Sequence, residues 1–401
     1  MHQHTPNTIP SIIEQLTALV PARMPQLTEV AADLHAHPEI RFTEVRAAAL
    51  LSSALDDAGF AVTRGFAGLD TAFVARWSTP DAQPGDTTIA VFCEYDALEE
   101  IGHACGHNII AAAGLGAGLL IMDFLTVSPV PANLIVIGSP GEEGAAGKVP
   151  MIEAGVLDGV DLAIMIHPGP SNSVDGTTLS RVALDIDFHG KSSHAAAAPA
   201  LGRNALDAAT LSLTAIGLLR QQLTDDVRIH TIITNGGDAP NIIPEHTAMR
   251  AFVRAADREH LLNDVLPRVH ACFEGAAIAT GTSVTAIENT PRYDALRSNP
   301  VLVSLAEEAY LAVGREINPD PDVAGSTDMG NVSQLVPAIH PIIELEAGVA
   351  PHTRAFAAAA AGEYATSAIQ DGSVILAATA IAAFRDRGIV DEATRQFDGE
   401  R

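Results

Sequence analysis

The sequence predicts an α/β fold with a central, mostly parallel sheet covered by helices on both faces, interrupted by a smaller ferredoxin-like α+β domain. Three observations carry this. Short, continuously apolar segments such as 88–93 and 133–138 alternate with helical ones before residue 180. Near 180 the style changes to half-exposed strands in the order β-α-β-β-α-β. From about Pro300 onward the first style returns. A chain of 401 residues suggests two or three domains. The divisions fall at 1–179, 180–291 and 292–401, the outer two parts forming one domain.

Residues 11–58 read as largely helical, because Ile12, Ile13, Leu16 and Leu19 recur at turn spacing and a second periodic stretch covers 44–55. Between them Pro38 breaks the pattern and biases His37 toward extended backbone. Strands are expected at 71–77 and 88–93, with a turn at 80–85 between them. A buried helix follows at 109–122, then a strand at 133–138, a short helix at 149–154 and a strand at 162–166. The 14 residues of 109–122 are too few to cross a bilayer as a helix, which needs about 20. In the middle region Val182, Leu184, Ile186 and Phe188 alternate with Ala183, Asp185 and Asp187, the mark of a strand with one wet face. A helix at 203–223, strands at 228–234 and 247–254, a helix at 258–274 and a strand near 283–288 complete it. The stretches 356–367 and 374–384 read as helices, and the last dozen residues as a loose tail.

Lys and Arg number 23 against 49 Asp and Glu, a net charge of −26, with no basic cluster along the chain. A surface that grips nucleic acid is therefore not expected. Three cysteines, Cys93, Cys105 and Cys272, are too few and odd in number for a disulfide framework. Residues 1–10 carry no signal-peptide pattern, so a cytoplasmic location and no membrane association are expected.

Chemistry-bearing residues fall in loops after the apolar strands, where α/β proteins place their sites. The first loop holds Cys105 and His107, two apart across Gly106 in His103-Ala104-Cys105-Gly106-His107-Asn108. Thiolate and imidazole at that spacing suit zinc and its neighbours. The second holds the adjacent acids Glu142 and Glu143, which repel unless one binds a metal and the other acts as a base. His167 follows the strand at 162–166, and His352 precedes a helix. In the middle region His194 sits in a loop after a strand, where it could donate to an oxyanion. Asn241, in the shaped loop 235–244, and Arg254 could hold a substrate carbonyl and carboxylate. Asp328, in the glycine-bounded loop 325–333, could orient a ligand histidine or a substrate amine. Each of these, taken alone, is also compatible with an ordinary loop residue.

Together these segments resemble the M20 metallopeptidase/amidohydrolase family, most closely the branch of aminoacylase-1-like protein 2 and the aminobenzoyl-glutamate hydrolase B subunit. The resemblance runs from Leu34-His35-Ala36-His37-Pro38-Glu39 to His352. It implies two divalent metal ions, zinc or manganese, held by Cys105, His107, Glu143, His167 and His352, with Glu142 as general base. By the same resemblance His194 stabilises the tetrahedral intermediate, Asn241 and Arg254 contact substrate, and the inserted domain is a lid and dimerisation domain, making a homodimer the expected state. The implied reaction is hydrolysis of an N-acyl or aroyl amino acid or a small dipeptide. The rival is a metal-binding or scaffolding protein without turnover, against which retention of Glu142 speaks. One departure stands out: Glu99 and Glu100 occupy positions where similar sequences often carry Pro-Gly, which would attract basic substrates or disfavour anionic ones.

Overall fold

A computed structural model describes residues 8–319 and 325–399, so most of the stretch read for a leader, 1–10, lies outside the described residues. The chain divides into two compact units, one of 1–177, 296–323 and 328–401, the other of 178–295 with 324–327.

The first unit opens with α1 (Ile9–Ala36) and α2 (Val45–Asp57). In α1 the residues Ile9, Ile12, Ile13, Leu16 and Val20, then Leu27, Val30, Ala31 and Leu34, form one buried stripe. Pro21 and Pro25, which interrupt the hydrogen-bond ladder, lie on the exposed side. Next come β1 (Ala61–Arg64), β2 (Phe73–Ser78), β3 (Thr88–Glu94), α3 (His107–Val127), β4 (Asn133–Ser139), the irregular turn α4 (Glu142–Ala145), α5 (Lys148–Glu153), β5 (Leu162–Ile164) and β6 (His167–Gly169). The six-stranded sheet runs β1-β2-β4-β3-β5 and ends on a strand near residue 338. It is parallel from β4 across β3 and β5 to that last strand, and antiparallel where β2 meets β1 and β4.

Both faces are dry. Ile89, Val91 and Cys93 of β3 pack into the core beneath α1 and α3, whereas Ala90 and Phe92 pack into a second core with Met151 of α5. That is why the strand reads as an unbroken apolar run. Helix α3 is apolar all round and approaches its neighbours too closely for side chains. A Cβ on Gly114 would sit 2.6 Å from Cys93 Sγ, and one on Gly118 would sit 2.6 Å from Val136 Cγ2. The helix spans 21 residues rather than the 14 read from its apolar centre, long enough to cross a bilayer, but 83% of its apolar window is buried inside the protein. Burial, not length, is what assigns it to a core.

The second unit is β7 (Ser180–His189), α6 (Ala205–Leu219), β8 (Arg228–Asn235), β9 (His246–Ala255), α7 (Arg258–His260), α8 (Leu266–Thr280) and β10 (Ser283–Glu288). Its antiparallel sheet has the order β10-β7-β9-β8, the ferredoxin-like arrangement. Val182, Leu184, Ile186 and Phe188 pack with residues of α6 and α8. On the wet face Asp185 stands opposite Arg250, 3.1 Å away, a cross-strand charge pair.

The chain then returns to the first unit with α9 (Pro300–Ala312), α10 (Met329–Ser333), β11 (Ala338–Ile339), β12 (Ile342–Glu344), α11 (Arg354–Ala359), α12 (Glu363–Arg385) and α13 (Arg387–Gly399). Strand β11 closes the large sheet beside β5, and β12 pairs with β6 in a separate two-stranded ribbon. Helix α13 corrects the expectation of a loose tail: Val390, Ala393 and Phe397 recur at helical spacing and are buried. The polar composition hid a narrow apolar stripe.

Candidate metal centre

Four connections of the first unit bring the candidate residues together near the carboxyl ends of its strands. Strand β3 ends in Glu94, followed by Tyr95 and Asp96. After β4, Gly141 turns the chain with φ +67° into Glu142 and Glu143. His107 is the first residue of α3, released from the loop by Gly106 at φ +80°, where a Cβ would collide with Pro168 at 2.4 Å. His167 opens β6. His352 precedes α11 in the left-handed region, φ +62°, an unusual conformation for a non-glycine residue, and its backbone N–H donates to Ala104 O at 2.8 Å.

His107 is the hub. It is fully buried, and Nδ1 faces Asp96 Oδ1 at 3.1 Å, which orients the ring. Its Nε2 has no hydrogen-bond partner. Around that nitrogen stand Glu94 Oε2 at 3.7 Å, Glu142 Oε2 at 3.9 Å and Glu143 Oε1 at 3.9 Å. These separations are too long for hydrogen bonds and suit groups that share a small cation. Glu143 Oε1 also lies 3.4 Å from His352 Nε2, and Cys105 Sγ lies 3.5 Å from His167 Nε2. Donor atoms of Cys105, His107 and His167 lie within 4.8 Å of one another, as do those of Cys105, Glu143 and His352, and those of Glu94, His107 and Glu142.

The electrostatics agree with a cation site. Burial opposes charge on His107, but Asp96 and Cys105 outweigh it and raise the imidazole well above its ordinary value. Burial alone would raise Glu143, yet the His352 and His107 rings hold it at about 2. Burial and then His107 push His167 down to about 4, leaving a neutral ring with a lone pair to offer. Burial, and then Glu143, push the Cys105 thiol well above its ordinary value. Glu142 is raised well above the carboxylate range by burial, then by Glu94, Glu143 and Asp328. The buried Glu94 Oε2, His107 Nε2 and Glu143 Oε1 all lack a hydrogen-bond partner. These residues therefore fit a metal-ion cluster.

Asp328, read as able to orient a ligand histidine or a substrate amine, packs against Lys148. It is fully buried, with Oδ1 at 2.6 Å from Lys148 Nζ and Oδ2 accepting the Lys148 backbone N–H at 3.0 Å. Both oxygens are occupied by Lys148, so Asp328 supports the cluster from behind. Lys148 in turn bonds Glu94. Sequence reading picks out the segment Cys93-Glu94-Tyr95-Asp96 without giving Glu94 a role, and it misses Lys148 and His340, whose ring lies 5.6 Å from that of His167. His340 follows a short apolar strand as His167 does, and that placement was the available signal.

The second unit holds the other candidates. His194 is exposed, and its Nδ1 accepts from the backbone N–H groups of Ala196 and Ala197 at 3.2 and 3.1 Å. With Nδ1 accepting, Nε2–H is left as the donor of the ring. Asn241 is brought beside it: Asn241 O accepts from Ala195 N at 3.0 Å. Arg254 is half-buried on β9, its guanidinium 5.1 Å from the centre of the Phe252 ring, and burial and then Arg181 lower its pKa.

Glu44 is a buried acid behind the Glu142 turn. Its oxygens accept from Gly141 N at 2.8 Å and Thr71 Oγ1 at 3.0 Å. Burial raises it from 4.5 to about 7. The folded state thus keeps a proton that the unfolded chain releases near 4.5. Stability from this group is complete below about 4.5 and is lost as the pH rises to about 7. Glu44→Gln should flatten the stability profile over that window and gain up to roughly 3 kcal/mol at pH 8, less any hydrogen-bond loss. Urea unfolding from pH 5 to 8 measures it; an unchanged slope would refute the assignment.

Residues 80–382 match the model of peptidase family M20/M25/M40. Among curated proteins, the Xaa-Arg dipeptidase of Mus musculus is 36% identical over 372 residues, covering 90% of this chain and 86% of that protein. The B subunit of p-aminobenzoyl-glutamate hydrolase from Escherichia coli (strain K12) is 35% identical over 276 residues, 64% of this chain and 56% of that protein. Among solved structures, the Bacillus subtilis YXEP protein, described as a dinuclear metal binding peptidase, superposes with a TM-score of 0.68 at 21% identity, covering 91% of this chain and 99% of that one.

Proposed function

Since this chain belongs to peptidase family M20/M25/M40 and is a metal-dependent amidohydrolase, we propose that it hydrolyses the amide bond of a small dipeptide or N-acyl amino acid, using two divalent ions, zinc or manganese, held by Cys105, His107, Glu143, His167 and His352. The observation that carries this is His107 Nε2, buried and unbonded among three carboxylates. Bound there, the ions supply an acidified water and polarise the amide carbonyl. Glu142 takes a proton from the attacking water and returns it to the leaving amine. Nε2–H of His194 donates to the developing oxyanion, and Asn241 and Arg254 bind substrate. The thiol of Cys105 favours zinc over manganese.

A basic residue in the substrate is the preferred class. Glu99 and Glu100 are exposed, Glu100 at φ +65°, and Glu99 pairs with Arg41 at 3.2 Å. Arg41 also donates to the Glu143 carbonyl at 3.1 Å, which sets Glu99 one side chain from the metal cluster. The name of the mouse relative, Xaa-Arg dipeptidase, supports the same class. We assign the second unit to lid and dimerisation roles, on the exposed Ile232 and Ile233 of its edge strand β8. The net charge of −26 argues against nucleic acid as a partner, and three free cysteines suit the cytoplasm.

The test is metal analysis of the purified chain, then a panel of Xaa-Arg and Xaa-Lys dipeptides, aminobenzoyl-glutamate and N-acetyl amino acids, read by released amine. The basic dipeptides should have the highest kcat/KM, and His194→Ala should lower kcat on them while leaving metal content intact. Preference for aminobenzoyl-glutamate would overturn the substrate class; a chain free of metal and inert on the whole panel would overturn the reaction.

A further inference from the structure

We propose that Glu94 is a further protein ligand of this metal centre, presenting Oε2 to the ion that His107 holds, with Lys148 and Asp328 fixing it in place. The proposal rests on the metal-dependent reading above. Glu94 ends β3 and is wholly buried. Its two oxygens have unlike surroundings. One is bonded by the Lys148 ammonium; the other is inaccessible to water and has no hydrogen-bond partner. That second oxygen faces His107 Nε2 at 3.7 Å, and the same nitrogen is itself without a partner. Both atoms are buried without a hydrogen-bond partner and too far apart to bond each other, and an ion shared between the carboxylate oxygen and the lone pair of the neutral ring would satisfy both. Glu94, His107 and Glu142 also bring their donor atoms within 4.8 Å of one another.

The charge balance points the same way. Lys148 is fully buried and carries one positive charge between two carboxylates, Glu94 and Asp328. One negative charge is left over, and the unbonded oxygen of Glu94 is where it faces the cluster. Asp328 also accepts the Lys148 backbone N–H at 3.0 Å, so the ammonium is anchored at its root and at its tip. A carboxylate needed merely to neutralise Lys148 would not have to aim its second oxygen at His107. Lys148 acts as a positioning residue: it sets the plane of the Glu94 carboxylate.

The test uses the full chain, stripped of metal and titrated with zinc against a chromophoric chelator, then reloaded with cobalt(II). Glu94→Gln keeps the length and an oxygen for Lys148. The unaltered chain should bind two ions, and Glu94→Gln should hold one of them at least about tenfold more weakly, with altered cobalt ligand-field bands. Equal affinities for both ions would overturn the proposal. So would weaker binding with unchanged cobalt bands, since the carboxylate would then act through its field alone. Should Glu94→Gln fail to fold, Glu94→Asp keeps the charge but retracts the oxygens, and cobalt bands identical to those of the unaltered chain would overturn the assignment. An unaltered chain that takes up no ion removes the metal reading itself, a result distinct from any difference between variants.

Discussion

Glu142→Gln leaves both ions bound and lowers kcat by about 10²–10⁴-fold, the range lost when a positioned proton-transfer group is removed. The amide preserves volume and removes the carboxylate that accepts the proton. Glu142 is 8% exposed, with its Oε2 3.9 Å from His107 Nε2, beside the donor cluster rather than behind it. Its high proton affinity in the surrounding acids suits a group that must accept a proton and later return it. Glu143→Gln provides the contrast: Glu143 is tied to His352, so its loss should remove metal along with activity. Metal content and single-turnover rates separate the two. Full turnover by metal-loaded Glu142→Gln would show that another group takes the proton.

Lys148→Met destabilises the chain by roughly 3–5 kcal/mol at pH 8, because Glu94 and Asp328 are left buried without their shared cation. Methionine matches the length of the aliphatic stem, so packing changes little. Burial already raises Asp328 above its ordinary value, and Lys148 opposes that rise. Without Lys148 the acid should hold its proton to still higher pH. Its folded pKa then stands above its unfolded one, so the deficit should shrink as the pH is lowered from 8 toward 5. Urea unfolding of the metal-free chain at both pH values checks this. A deficit independent of pH would mean that lost packing, not stranded charge, is responsible.

The sequence revealed those parts of the fold whose physics is local. Strands β3 and β4 were legible as continuous apolar runs, because residues of both parities are buried. The alternation in β7 was legible because only one face of its sheet packs on helices. Strands β6, β11 and β12 have two or three residues each, too short for any period to show. At the site, Cys105, His107, Glu142, Glu143, His167 and His352 could be picked out because each lies in a loop beside an apolar strand or helix. Lys148 could not, and Glu94 stood out only as part of a segment, without a role. Glu94 closes a buried strand like any chain-end acid, and the partner that holds Lys148 from the other side is Asp328, 180 residues away. The bonding of Asp328 was hidden for the same reason, since nothing in a glycine-bounded loop tells that one oxygen is engaged by the ammonium and the other by the backbone N–H of a single distant lysine.

The first unit is assembled from both ends of the chain, with consequences for its biosynthesis. Helix α3 packs beneath α12, and His352 and Asp328 also come from the returning segment. While the ribosome has yet to make residues beyond 295, a long greasy helix stands without its cover and the ligand set lacks a member. The middle unit can fold in that interval. A nascent chain stalled there should recruit a holdase and should be unable to retain its ions until the final quarter emerges.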